Sequence, residues 1–165
     1  MLHTRPRADK IELSIEHDAW NAVDGLEDLA RSVIAACVTE AARAVPKRFE
    51  VSLLLCDDAA IRALNKTWRN KDTATNVLSF PIPRGNLKAQ SVMLGDIVIA
   101  YGTTAAEAAR DGKTLRGHTA HLIAHGFLHL VGYDHLNDTE AEVMEGAERC
   151  VLQSLGIADP FLTLA

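Results

Sequence analysis

The segment His125-Gly126-Phe127-Leu128-His129-Leu130-Val131-Gly132-Tyr133-Asp134-His135 carries three of the seven histidines of this 165-residue chain. His125 and His129 are four residues apart, so on a helix they are separated by only about 40° around the axis and project from one face. Gly132 suits the left-handed conformation in which helices commonly end. We therefore expect the chain to turn back after Gly132 and to bring His135 beside the first two imidazoles.

Three imidazoles that meet at one point predict a metal site. The segment supplies no fourth protein ligand, and a zinc site that keeps one position for water is typical of catalysis. We expect one Zn²⁺ per chain, held by His125, His129 and His135. The spacing also matches the zincin motif H-E-x-x-H-x-x-G-x-x-H, with Gly126 in place of the glutamate. That glutamate is the general base of the peptidases, so its absence argues against peptide hydrolysis.

Length and composition favour one folded domain. The 165 residues are 48% hydrophobic and show no internal repeat. We expect a flexible N-terminus over residues 1–9 and a single domain over residues 10–165. No apolar run approaches the roughly 20 residues of a membrane span, and the first residues lack a signal-peptide pattern, so the expected location is the cytoplasm. The three cysteines lie far apart among apolar residues and are expected to be small core residues.

Hydrophobic periodicity predicts an α+β fold with a small mixed β-sheet packed against helices, one of them the zincin-like helix that carries the metal ligands. The expected strands are residues 10–16, 49–56, 77–80 and 94–101. The expected helices are residues 24–44, 58–69, 103–110 and 114–131, and a last helix that begins after Asn137 and ends at Gly156. The strand at 49–56 is nearly all apolar and should be central. Trp68 is expected on the inner face of the second helix.

Residues 125–135 also carry a family resemblance. They read H-G-F-L-H-L-V-G-Y-D-H. This resembles the signature H-G-x-L-H-L-x-G-Y-D-H of the YbeY family, bacterial single-domain metal-dependent endoribonucleases that act in ribosomal RNA maturation. The resemblance extends over residues 50–157, which is most of the chain.

A second group of matches lies upstream. The family pattern reads L-N-x-x-x-R-x-x-D-x-P-T-D/N-V-L-S-F-P and is followed by G-D-I. This sequence is similar to it at Asn65, Trp68-Arg69, residues 72–81 (D-T-A-T-N-V-L-S-F-P) and Gly95-Asp96-Ile97. Ala74 stands where the family usually has proline, which lowers the expected rigidity of this loop.

The resemblance implies a zinc-dependent endoribonuclease that hydrolyses phosphodiesters of single-stranded RNA. It assigns the catalytic role to Arg69, whose guanidinium can form two parallel hydrogen bonds with a phosphodiester. The candidates for substrate contacts are Lys66, Lys71, Asn76, Ser79 and His121. The implied process is the maturation of ribosomal RNA precursors, notably the 3′ end of 16S rRNA, together with ribosome quality control.

The charge distribution bears on RNA binding. The formal net charge of -5 disfavours general attraction to phosphates. Basic residues nevertheless cluster in one segment, at Arg62, Lys66, Arg69, Lys71, Arg84 and Lys88. A local positive groove on an acidic protein would restrict where RNA binds. The small ribosomal subunit or an assembly factor is the expected partner, and no membrane is expected.

Two other functions remain open on the sequence. One is a zinc hydrolase of another bond, a peptidase or an amidase, which Gly126 disfavours. The other is a ribosome assembly factor with a structural zinc, which a fourth protein ligand would favour. His121 lies one helical turn before His125, and its Cα would be about 12 Å from that of His129. We therefore expect His121 beside the ligands or facing the substrate, and not on the ion.

Overall fold

The structure is a computed structural model and describes residues 9–83 and 91–162. Its strands are β1 (Lys10–Ile15), β2 (Phe49–Cys56), β3 (Val77–Pro81) and β4 (Val92–Ala100). Its helices are α1 (Leu26–Glu40), α2 (Asp58–Arg69), α3 (Tyr101–Arg110), α4 (Leu115–Leu130) and α5 (Asp138–Ser154). Of the expected flexible N-terminus, residues 1–9, only Asp9 lies within the described residues.

The four strands form one mixed sheet in the order β1-β2-β4-β3. β1 and β4 both run parallel to β2, and β3 runs antiparallel to β4. β2 is therefore internal, as its apolar sequence predicts, and its Val51, Leu53 and Leu55 are almost completely buried. The expected small mixed sheet and the α+β class are confirmed.

Helices cover both faces of the sheet. Alternate residues of β4 face different cores: Ile97 and Ile99 belong to the large core beneath α1, α4 and α5, whereas Val98 joins the smaller core with Ile61 of α2. α4 is the central helix, because it contacts α1, α3, α5, β3 and β4. Although much of α4 is apolar and buried, no helix among the described residues is long and apolar enough to cross a membrane.

Gly126 lets α4 approach the sheet closely. A Cβ atom at this position would lie 2.7 Å from Cγ2 of Ile97 on β4 and 3.2 Å from Oγ of Ser79 on β3. Ile97 is fully buried, so it has little room to move. Gly126 therefore matters for packing as well as for the missing zincin glutamate, because a larger side chain would fit here only if its neighbours moved.

Three sequence-based expectations about exposure or length are wrong. Trp68 is 68% exposed, because the last turn of α2 extends beyond Asn65, its last buried residue. Cys150 is exposed on the outer side of α5, whereas Cys37 and Cys56 are buried as expected. α1 ends at Glu40 and not at 44, although residues 41 and 45 remain buried in the turn that follows. Their apolar spacing continues the helical pattern after the helix has ended.

Candidate metal centre

The helix that carries the histidines ends at the expected place. α4 finishes at Leu130, and Gly132 follows with a φ of +105°. The Tyr133 N–H then donates to the Leu128 carbonyl at 3.0 Å. A backbone bond of this kind, around a glycine with positive φ, is the usual way in which a helix is closed at its C-terminus.

The residues after Gly132 form the turn that returns the chain. The Asp134 carboxylate accepts a hydrogen bond from the backbone N–H of His135 at 2.8 Å. This contact makes Asp134 a turn residue. An Asp side chain that bonds to the following backbone is a common turn element.

The turn brings the side chains of His125, His129 and His135, the histidine trio, to one place. The Nε2 atoms of His125 and His129 are 3.1 Å apart. One ligand nitrogen from each of the three rings lies within 4.8 Å of the others. Two nitrogens on a tetrahedral zinc ion would be about 3.3 Å apart, given Zn–N bonds of about 2.0–2.1 Å. The histidine trio could therefore hold a metal ion.

Hydrogen bonds on the opposite ring nitrogens orient two of these imidazoles. Nδ1 of His125 lies 2.5 Å from Oε1 of Glu148, and Nδ1 of His129 lies 2.9 Å from the Tyr133 carbonyl. A carbonyl oxygen only accepts, so Nδ1 of His129 carries the proton and Nε2 carries the lone pair. Burial lowers the pKa of His129, and the neighbouring His125 and His135 lower it further. A neutral imidazole with a free Nε2 is the form that binds metal.

Glu148 is the important residue that sequence reasoning missed. It lies on α5, is only 2% exposed, and also accepts a hydrogen bond from Nε2 of His121 at 2.8 Å. Burial alone would raise the pKa of Glu148, but the hydrogen bonds from His121 and His125 outweigh burial and lower it to about 2. The carboxylate is therefore charged and holds two imidazoles of α4 at once.

The sequence contains one signal for Glu148. It falls within the buried stripe of α5, between Ala147 and Val151 and one turn after Met144. A glutamate is almost never buried unless it is paired. An acidic residue inside an apolar stripe therefore indicates a buried partner, although it does not identify that partner.

Arg69 and the histidine trio line one cavity of about 740 Å³, the Arg69 cavity. The side chain of Arg69, the last residue of α2, donates from Nη2 to the Ser79 carbonyl at 2.7 Å. Its Cζ lies 5.3 Å from the centre of the Phe80 ring. These contacts hold the guanidinium at the cavity wall, and Ser79 is the only hydrogen-bond acceptor that its five N–H donors meet among the described residues. Lys71 lines the same cavity.

The other substrate candidates occupy different places. Ser79 also lines the Arg69 cavity, but its hydroxyl donates to the Gly126 carbonyl at 3.3 Å and so ties β3 to α4. Lys66 is exposed and does not line this cavity. Asn76 and His121 line a second cavity that adjoins the trio. Arg84 and Lys88 of the basic cluster lie outside the described residues.

Comparison with known proteins places these features in a family. The model of the family described as "Endoribonuclease YbeY" matches residues 13–156. A curated protein named endoribonuclease YbeY from Methylocella silvestris is 49% identical over 151 residues, which cover 92% of this chain and 85% of the relative. A protein of the same name from Azorhizobium caulinodans is 44% identical over 155 residues, covering 92% and 96% of the two chains.

A solved structure shares the fold. The solution structure of TM1509 from Thermotoga maritima is similar with a TM-score of 0.57 at 20% sequence identity, covering 92% of this chain and 99% of that one. Identity at this level supports the architecture only. The family model and the two curated relatives carry the assignment: this chain belongs to the endoribonuclease YbeY family.

Proposed function

We propose that this protein is a zinc-dependent endoribonuclease that hydrolyses phosphodiesters of single-stranded RNA. The observation that carries the proposal is the shared cavity: the histidine trio and Arg69 line it together, in a chain whose family consists of endoribonucleases. The volume of about 740 Å³ leaves room for a nucleotide chain segment beside the trio.

Zinc is the metal that best suits the three donors. Neutral imidazoles suit zinc, copper, iron and nickel better than magnesium or calcium, which prefer oxygen. Among the described residues the group of possible ligands contains the three histidines alone. A bound zinc ion would supply a Lewis acid and an activated water at neutral pH, without a glutamate base.

Arg69 is proposed to bind the phosphodiester and to stabilise the additional negative charge of the transition state. A guanidinium presents its N–H groups as a planar fork that fits two phosphate oxygens, and it stays charged at every physiological pH. The contact with Ser79 fixes the side chain beforehand, so little reorganisation is needed when the substrate arrives.

The two alternative functions are less well supported. A peptidase would need a glutamate where Gly126 stands, and a side chain there would collide with Ile97. An assembly factor with a structural zinc would be expected to complete the coordination with a fourth protein ligand, as structural zinc sites do. The set of three donors supports a site with an open position.

The proposed substrates are ribosomal RNA precursors, with the 3′ end of 16S rRNA as the expected processing site and the cytoplasm as the location. A chain with a net charge of -5 would meet RNA through a local basic surface. Arg69 and Lys71 provide such charges at the cavity. The small ribosomal subunit or an assembly factor is proposed to supply the remaining specificity.

Cleavage of a labelled single-stranded RNA tests the catalytic proposal. Wild type, His129→Ala and Arg69→Glu would be compared after chelation and after zinc is restored, with Arg31→Glu on α1 as a control for the charge change. We expect zinc-restored activity in wild type and in the control only. Activity that survives chelation and both substitutions would identify a contaminating nuclease and contradict the proposal.

Mapping of rRNA ends tests the cellular role. Cells that lack the protein would be complemented with wild type or with His129→Ala, and the ends of 16S rRNA would be sequenced. We expect unprocessed 3′ ends in the cells with His129→Ala. Complete restoration by that variant would favour the assembly-factor function.

A further inference from the structure

A second cavity adjoins the histidine trio. Its volume is about 360 Å³, and it shares Val77, His125 and His135 with the Arg69 cavity. His125 and His135 therefore form a wall common to both cavities. A single-stranded RNA with one phosphate at the trio can extend into both cavities.

The two cavities differ in charge. The Arg69 cavity is lined by Arg69 and Lys71 against the single carboxylate of Asp134. The second cavity is lined by three carboxylates, those of Glu107, Glu145 and Glu148, against the single ammonium of Lys113. Phosphates are repelled by the second cavity and attracted by the first. A neutral part of the nucleotide is the more suitable occupant of the second cavity.

Glu107 offers a hydrogen-bond acceptor in this cavity. Its Oε2 accepts from Nδ2 of Asn76 at 3.1 Å and from Nε2 of His118 at 3.0 Å. These two bonds use both lone pairs of Oε2 and fix the carboxylate. No donor to Oε1 occurs within residues 9–83 and 91–162, and the side chain is 19% exposed. Oε1 is therefore available to an N–H group of a ligand.

His118 provides a second hydrogen-bond acceptor that lacks a donor. It lines the cavity, is 6% exposed, and its Nδ1 has no hydrogen-bond partner in the part of the chain that the structure describes. Because Nε2–H donates to the Glu107 carboxylate, Nδ1 of the neutral ring carries a lone pair. Buried acceptors without partners are costly, so the surroundings of Glu107 and His118 are short of hydrogen-bond donors.

We propose that this second cavity, the base cavity, binds a nucleobase next to the scissile phosphate and selects bases with an exocyclic amino group. The proposal rests on the proposed RNA substrate. Adenine, cytosine and guanine each offer an amino group to Oε1 of Glu107, whereas uracil flanks its one N–H with two carbonyl oxygens. The apolar side chains of Leu122, Met144 and Phe161 also line the cavity and suit the flat faces of a base.

Binding of mononucleotides tests the base cavity directly. Zinc-loaded protein would be titrated with AMP, CMP, GMP and UMP while the NMR signals of the Asn76 side-chain amide are followed. We expect the three amino-bearing nucleotides to shift these signals and to bind about tenfold more tightly than UMP, as expected for one hydrogen bond to a charged group. Equal affinity for UMP would overturn the proposal.

A conservative substitution reverses the expected preference. Glu107→Gln keeps an oxygen for Asn76 and His118 but replaces the open oxygen by an NH₂ donor. We expect UMP to bind this variant as well as or better than AMP, while Glu12→Gln on the exposed side of β1 keeps the wild-type order. A thermal melt of Glu107→Gln would verify folding. An unchanged order of the four nucleotides in a folded Glu107→Gln protein would contradict the assignment.

Cleavage of a random-sequence RNA pool separates this inference from the proposed function. Sequencing of the cut ends should show uracil depleted at one position flanking the cut in wild type, and not in Glu107→Gln. Cutting without any base preference would reject the base cavity and leave the nuclease function standing. Base-selective binding without any cutting would retain the base cavity and reject the nuclease function.

Discussion

The carboxylate of Glu148 on α5 lies 2.5 Å from Nδ1 of His125 on α4. A partner of this kind fixes the tautomer and the ring orientation of a metal-binding histidine and makes its other nitrogen a better ligand. The pair also joins two helices at the candidate metal centre, so packing and metal binding depend on the same contact.

Glu148→Gln should weaken zinc binding by about 10–100-fold. The amide keeps one acceptor oxygen but turns an NH₂ donor toward one of the two imidazoles, so His125 or His121 loses its partner. Competition with a chromophoric zinc chelator measures the change. Glu142→Gln, on the exposed side of the same helix, is the control. Wild-type affinity in a folded Glu148→Gln protein would show that this contact does not position the ligand.

His121→Ala and His125→Ala should differ in the amount of metal bound. His121 shares the Glu148 carboxylate with His125 but is not one of the three grouped ligands, so at saturating zinc its removal should leave about one ion per chain, with reduced affinity. His125→Ala removes a ligand and should lose most of the metal. Elemental analysis after gel filtration distinguishes the two. Equal loss in both variants would place His121 among the ligands.

Arg69→Lys should lower kcat/KM for RNA cleavage by about 10²–10³-fold, because an ammonium keeps the charge but not the planar fork. The metal content should be unchanged, since Arg69 bonds to Ser79 and not to the trio. Steady-state cleavage assays measure the loss, with Arg31→Lys on α1 as the matched control. Full activity of Arg69→Lys would show that charge alone suffices at this position.

Gly126→Ala should destabilise the protein by about 1–3 kcal/mol, because the added methyl would lie 2.7 Å from the buried Ile97 side chain. Gly146→Ala is a control with the opposite sign. Gly146 lies within α5 and a Cβ there meets nothing within 4 Å. Alanine has a higher helix propensity than glycine, so Gly146→Ala should stabilise the protein by about 0.5–1 kcal/mol. Urea denaturation compares the two, and a neutral Gly126→Ala would refute the close approach of α4 to β4.

His118 should make folding sensitive to mild acid. Burial lowers the pKa of His118, even though the hydrogen bond to Glu107 acts in the opposite direction. The unfolded chain therefore binds more protons, and the free energy of unfolding decreases as the pH falls below the ordinary histidine pKa of about 6.5. Urea denaturation of metal-free wild type and His118→Gln at pH 7.5, 6.5 and 5.5 should show a flatter pH dependence in the variant. Identical slopes would exclude a contribution from His118.

Local signals account for what the sequence predicts well. The helix that bears His125 and His129, and the end of that helix at Gly132, follow from helical spacing and from the conformational freedom of glycine, both of which act within a few residues. The strand at Phe49–Cys56 is apolar enough to indicate a central position before its neighbours are known. These features depend little on distant parts of the chain.

Contacts between distant elements account for what the sequence does not predict. Glu148 meets His125 only because α5 packs on α4, and no periodicity within either helix contains that pairing. Trp68 continues the apolar pattern of α2, yet it is exposed because the helix extends past the residues that cover it. The packing role of Gly126 likewise depends on a distant element, because Ile97 of β4 lies opposite it in the folded protein.

The position of Glu148 along the chain has a consequence for biosynthesis. The three imidazoles are translated before α5, the last helix among the described residues. A nascent chain that has not yet released α5 from the ribosomal exit tunnel would carry the histidines without their carboxylate partner and would retain the ion only loosely. The carboxylate contacts of the metal centre would then form only after α5 has left the tunnel and packed on α4.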